Sequence, residues 1–175
     1  MGLFDFLQQQ QKNGPSQTIT IHSLIEDLGQ DKPKQVRKDA QDALVARGND
    51  AIVPLTQALQ SEDWRTREEA AKILGRIGDE RAVRALIQLF KDEKTRVQLW
   101  ATDSIISLGK CAVKPLIEAL DDEDRRVRMG AVVALGELQD LEAKDYLRKL
   151  LNDDDAEVRA AATEAIDVID EKATA

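Results

Sequence analysis

Two tryptophans, Trp64 and Trp100, stand among the arginines Arg65, Arg96, Arg125 and Arg126. Tryptophan with arginine is the pairing enriched where one protein grips another. Leu99, Met129 and Val133 add apolar surface and Asp103 a carboxylate, all at positions that helical spacing turns away from a core. An exposed apolar patch rimmed by charge marks a binding site. Guanidinium groups grip carboxylate and phosphate bidentately, so these arginines suit an acidic or phosphorylated partner. Two alternatives stay open. The tryptophans can lie flat across neighbouring helices as packing, and Glu68, Glu69, Asp103 and Glu137 can satisfy the arginines internally.

Residues for catalysis are sparse. His22 is the single histidine and Cys111 the single cysteine, too few for the usual metal-ligand sets. No nucleophile and base stand in a recognisable pattern, and neither metal nor cofactor is expected. Cys111 begins a helix, where a lowered thiol pKa can arise, but it matches Ala51 as a small helix-start residue. His22 is expected to be exposed. The acidic runs Asp121–Asp124 and Asn152–Asp155 lack the alternating carboxylates, central Gly and final Glu of a calcium loop. They suit helix capping. A net charge of −8 argues against a general nucleic-acid binder, which needs a basic stripe. One cysteine suits a reducing compartment, and the cytoplasm is the expected location. No apolar run is long enough to span a membrane.

A repeat must position these residues. The frame Val127 to Leu138 (VRMGAVVALGEL) recurs from Val36, Thr66, Val97 and Val158, at spacings of 30, 31, 30 and 31 residues. So regular a period means stacked units. Positions 0, 4, 8 and 11 of the frame are mostly small or apolar, with alanine at position 4 in every copy: Ala40, Ala70, Ala101, Ala131 and Ala162. A second pattern, clearest at Ala112 to Leu120, precedes each copy from the second onward and, more loosely, the first at Thr20 to Leu28. Its apolar residues recur at spacings of three and four. Pro54 and Pro115 fall in first turns, where a missing amide proton costs little. Gly48, Gly78 and Gly109 are expected C-caps. The fold class is therefore all-α, a solenoid of about five two-helix repeats. Its expected boundaries are an apolar segment and Gln/Gly/Pro linker over 1–17, the stack over 18–170 and a tail over 171–175. The LFDFL stretch of residues 3–7 suits either an end cover for the stack, a docking peptide or self-association.

The stretches Gly78 to Phe90 (GDERAVRALIQLF) and Asp122 to Leu138 (DEDRRVRMGAVVALGEL) resemble HEAT repeats of the phycobilisome-lyase HEAT-like variety. The resemblance implies a right-handed superhelix with the Val-Arg helices lining the concave face. It also implies that Arg37, Arg67, Arg128 and Arg159 pair with turn aspartates, with a gap at Gln98. Deoxyhypusine hydroxylase is a HEAT-like enzyme, but its paired His-Glu motifs cannot be supplied by His22 and Ser23. The expected function is a protein- or peptide-binding adaptor using the concave groove, with no chemistry of its own. The alternative is a component or accessory factor of a bilin lyase, a class whose usual form is larger or two-subunit.

Overall fold

The computed structural model describes residues 19–174. The roles expected for residues 1–7, and the boundary at residue 17, lie outside the described residues. Every regular element among them is helical. An outer row of short helices comprises α1 (Ile21–Glu26), α3 (Ile52–Ala58), α5 (Val83–Ile87), α7 (Val113–Ala119) and α9 (Lys144–Lys149). An inner row of longer helices comprises α2 (Lys34–Arg47), α4 (Trp64–Ile77), α6 (Thr95–Leu108), α8 (Arg125–Leu138) and α10 (Ala156–Thr174). Each outer helix and the inner helix after it form one repeat of an all-α solenoid. Helix α10 runs on to Thr174, so the tail expected from residue 171 is helical as far as that residue.

The alanines at position 4 explain why the rows stack. All five are at most 2 % exposed, and only a small side chain lets helix axes approach so closely. Leu44, Leu74, Ile105 and Leu135 at position 8 complete the seam and are fully buried. Asp63 and Asp124 cap α4 and α8 by accepting the Arg65 and Arg126 amides, both at 2.9 Å. Asp155 accepts the Glu157 amide in the same way at 2.9 Å. Lys94 holds the equivalent position before α6 and makes no side-chain cap. Gly48, Gly78 and Gly109 have positive φ at the ends of α2, α4 and α6, as expected, and Gln139 adopts the left-handed region with φ 52° after α8.

The arginine ladder is present at alternate joints. Arg67 grips Asp92 bidentately at 2.6 and 3.0 Å, and Arg128 grips Asp153 at 2.8 and 2.9 Å. The expected gap at Gln98 is real: its side chain reaches only the Asp92 carbonyl, at 2.6 Å. Two of the expected pairs are corrected. Arg37 bonds the Lys32 carbonyl, because Ser61 stands where the later turns carry aspartate. Arg159 belongs to the last repeat and bonds the Asp153 and Asp154 carbonyls at 2.7 and 3.1 Å.

The same alternation appears in the packing. At frame position 9, Gly75 and Gly136 meet the next inner helix so closely that an added Cβ would lie 2.7 Å from Ser104 Oγ and 3.0 Å from the Ala165 Cβ. Val45 and Ile106 hold that position at the other two joints. There the side chains act as spacers, and Phe90 fills the space against Gly130. Repeats two and three thus form one tight module, and repeats four and five another.

Gln98→Arg places a guanidinium opposite Asp122. It is expected to raise stability on the order of 1 kcal/mol, or about 2–4 °C in a thermal melt. An unchanged or lower melting temperature would contradict this account of the ladder. Arg128→Gln removes an existing rung. Hydrogen bonding from Arg128, opposed by desolvation, holds the Asp153 carboxyl at about 2, below its ordinary 3.8. A depressed carboxylate pKa stabilises the fold above the unfolded value and loses that contribution as pH falls through the folded value. The stability gap between wild type and Arg128→Gln, measured by urea unfolding, is expected to be full near pH 6 and to shrink between about pH 4 and about pH 2.

Candidate functional site

The middle of the inner row carries charge where the repeat pattern predicts solvent. Glu68 and Glu69, at frame positions 2 and 3 of α4, are 0 % and 5 % exposed. Each is paired. Glu68 accepts from Arg96 at 2.8 Å, from Lys72 at 2.5 Å and from Arg65 at 3.3 Å. Glu69 accepts from Gln41 at 2.7 Å and from Lys72 at 3.3 Å. Burial pushes the Glu68 carboxyl up. Hydrogen bonds from Arg96 and Lys72, with their positive charges, outweigh it, and its pKa ends below the usual value.

Aromatic rings cover this network. The Arg65 guanidinium lies 4.4 Å from the Trp64 ring centre and that of Arg96 lies 6.0 Å away. Lys72 Nζ sits 4.4 Å from the Trp100 ring centre. Such contacts add electrostatic attraction to the ion pairs. A cavity of about 380 Å³ opens beside Trp100 between α2, α4 and α6. Its lining includes Gln41, Lys72, Gly75, Arg76, Asp103 and Ser104.

The ten residues singled out from the sequence separate into two groups. Leu99, Trp100 and Val133 are exposed, Leu99 by 59 %, and Asp103 is exposed at the cavity. Trp64 and Met129 are half-buried and pack against the core, so their expected exposure is corrected. Trp64 opens α4, where it closes over the guanidinium groups of Arg65 and Arg96. The four arginines are engaged internally. Arg65 and Arg96 bind Glu68, Arg125 binds Glu157 at 3.0 Å, and Arg126 binds Asp124 at 2.7 Å. The charge of Arg65 and Arg96 is therefore committed to a buried carboxylate, whereas Arg125 and Arg126 make only exposed surface pairs.

Lys72, Gln41 and Arg76 were not among the selected residues, and all three line the cavity. A signal for Lys72 exists: Glu68, Glu69 and Lys72 have the spacings that place opposite charges side by side on a helix. Nothing in the linear pattern marks Gln41, which reaches Glu69 from the preceding repeat.

The other reactive groups are quiet. Cys111 is half-buried and donates to the Leu108 carbonyl at 3.2 Å. Burial, with the nearby Glu80 charge, raises its thiol pKa, the opposite of activation. His22 is exposed beside Glu26 at 3.4 Å. Among the described residues no cluster of His, Cys, Asp and Glu has the makings of a metal site, and no helix is long and apolar enough to cross a membrane.

The family model of HEAT repeats matches residues 21–106 and 98–167. The chain belongs to the HEAT-repeat family. This HEAT-repeat chain is similar to the phycocyanobilin lyase subunit alpha of Picosynechococcus sp., with 39 % identity over 102 residues. That alignment covers 53 % of the chain and 38 % of the relative, so the chain matches well under half of that protein's length. The complex of CpcE and CpcF of phycocyanin lyase from Nostoc sp. PCC7120 shares the fold, with a TM-score of 0.54 and 24 % identity. The match covers 83 % of this chain and 96 % of that one. The lyase subunit match bears out the likeness to the phycobilisome-lyase variety of HEAT repeat, and the solved structure bears out the fold. The lyase relative overturns the expectation of a generic adaptor without chemistry and favours the bilin-lyase alternative.

Glu68→Gln removes the charge that three cations share. It is expected to destabilise the fold by about 3 kcal/mol, because buried partners are left uncompensated. The melting temperature should fall by roughly 6–12 °C. A change below about 1 kcal/mol, the size of a surface pair, would show that the network is not a structural centre.

Proposed function

We propose that this HEAT-repeat protein is a component of a bilin lyase and acts together with a second protein. The observation that carries this is the 39 % identity to a phycocyanobilin lyase subunit over 102 residues. That relative is itself a lyase subunit, which supports a component role. So does the two-protein makeup of the CpcE–CpcF complex with the same fold. A phycocyanobilin is a large conjugated molecule with apolar rings and acidic side arms, and it needs an open aromatic and cationic surface. The inner-row face offers aromatic and apolar surface at Trp100, Leu99 and Val133, with Arg76 at the cavity beside Trp100.

In this proposal the selected residues divide their work. Leu99, Trp100, Asp103 and Val133 meet the chromophore or its carrier protein. Trp64, Arg65, Arg96, Arg125, Arg126 and Met129 hold the inner helices that present them. The working unit is the stack over 18–170, with residues 1–17 a separate segment and residues 171–175 at its end. The location is the cytoplasm, and residues 1–7 serve self-association or docking to the second protein.

The test uses the full chain, phycocyanobilin and an apo-phycocyanin subunit, with and without a second HEAT-repeat lyase subunit. Covalent attachment is read from bilin fluorescence that stays with the denatured protein band. The reverse arm starts from chromophore-bearing phycocyanin and follows loss of its visible absorbance. Addition of the chain is expected to speed attachment or detachment at least roughly tenfold, a lowering of the barrier by about 1.4 kcal/mol. Rates unchanged in every arm would overturn the proposal.

A further inference from the structure

The bilin-lyase reading leaves open where on this chain a bilin would sit. Several cavities offer room. One of about 420 Å³ lies near the ends of α8 and α10, where Lys110 and Lys172 are balanced by Asp140 and Glu142 and no aromatic side chain lines the wall. Another, about 780 Å³, lies on the outer row between α7 and α9. Its lining carries Glu118, Asp121, Asp140 and Glu142 against Lys110 and Lys114. Four carboxylates against two ammonium groups would repel a ligand bearing two propionates. The inner cavity beside Trp100 has the opposite balance, with Lys72 and Arg76 against Asp103. Its volume of about 380 Å³ falls within the range of small-molecule sites.

The two cations of the inner cavity differ in availability. Lys72 is held between Glu68 at 2.5 Å and Glu69 at 3.3 Å, with both carboxylates at most 6 % exposed. Removing it from them would strand buried charge. Arg76 pairs only with Asp42 at 2.9 Å, and both side chains are nearly half exposed. Such a surface pair is weak and readily exchanged for a ligand carboxylate. Asp103 has no hydrogen-bond or ion-pair partner for its carboxylate among the described residues, so it is free to accept hydrogen bonds. The Trp100 ring carries Lys72 as a cation contact and is 36 % exposed, leaving aromatic surface for a flat ligand.

The floor is shaped by the tight joint between repeats two and three. Gly75 has no side chain, and an added Cβ would strike Ser104. Ser104 spends its hydroxyl on the Ala71 carbonyl at 2.9 Å. The cavity therefore combines one aromatic wall, one exchangeable guanidinium and one unpaired carboxylate over a fixed floor. A linear tetrapyrrole offers the complement: flat rings, propionates and pyrrole N–H donors.

We propose that this cavity is a bilin subsite, in which Trp100 stacks against a pyrrole ring, Arg76 holds a propionate and Asp103 accepts pyrrole N–H groups. The proposal rests on the bilin-lyase reading. The cavity takes part of the tetrapyrrole, and the remainder lies along the open face towards Leu99 and Val133.

The test titrates phycocyanobilin, and separately its dimethyl ester, into the full chain, following visible absorbance and tryptophan quenching. Wild type is compared with Trp100→Ala, Trp100→Phe, Arg76→Gln and Asp103→Asn, each checked for a native thermal melt. Tyr146→Ala, in the outer cavity, is the control. Saturable binding with a shifted absorption band is expected for wild type and Tyr146→Ala. Trp100→Ala should weaken binding by at least about tenfold, with Trp100→Phe recovering much of the loss. The ester should bind wild type about tenfold more weakly than the free acid and should lose nothing further on Arg76→Gln, the sign of a direct coupling. Asp103→Asn should reduce the band shift.

Wild-type affinity in Trp100→Ala, or an ester penalty independent of Arg76, would overturn the subsite while leaving the lyase role standing. Failure of wild type to bind the bilin, with chromophore transfer still stimulated, would place the bilin on the other protein and overturn the subsite alone. Failure of both binding and transfer would remove the lyase role and the subsite together.

Discussion

Close approach of the inner helices is the constraint on which the molecule depends. Each helix pair has an apolar face it cannot bury alone, so the fold exists only as a stack. Alanine at position 4 permits that stacking at every joint. Gly75 and Gly136 tighten it further at two joints, where Arg67–Asp92 and Arg128–Asp153 also lock the turns. Steric fit and ion pairing coincide at the same joints. Each reinforces the other, because a guanidinium reaches its carboxylate bidentately only when the backbones are correctly spaced.

The alternation shapes the face proposed as the site. The tight joint between repeats two and three brings α4 and α6 together, and with them Glu68, Lys72, Arg96 and Trp100. Ionic groups that would be loose on a regular solenoid surface become a buried cluster under aromatic rings. The cluster holds Trp100 against Lys72 and fixes one wall of the cavity. Across the looser joint to repeat four, Phe90 packs against Gly130, and Leu99 and Val133 stay exposed. A firm polar centre thus adjoins an apolar strip on one face.

The lyase relative changes the use proposed for this surface. Tryptophan, arginine and exposed leucine suit a protein interface, and the sequence pattern alone favours a generic adaptor. Pairing with the buried Glu68 weakens that view for Arg65 and Arg96, whereas Arg125 and Arg126 make only exposed surface pairs. Around the cavity itself stand one exposed indole, one exchangeable arginine and one free carboxylate. That set suits a chromophore better than an acidic peptide.

The sequence by itself determined the repeat, the helix pairs, the alanine seam and the glycine caps, while the interrupted ladder at Gln98 came from the family resemblance. These features are local or strictly periodic, so the linear pattern carries them. It also held Trp100, Leu99 and Val133 on the open face, since helical phase fixes which way a residue points. Only the tertiary structure decided the rest. Glu68 and Glu69 are buried because Arg96 comes from the next repeat and Gln41 from the preceding one, and periodicity within a single helix cannot see across a joint. Trp64 and Met129 are half-buried against the core for the same reason. Arg37 finds no carboxylate because the following turn presents Ser61 where later turns present aspartate. A solenoid fixes the direction of each side chain within its own repeat, but the neighbouring repeat decides whether that side chain meets water, a ring or a charge.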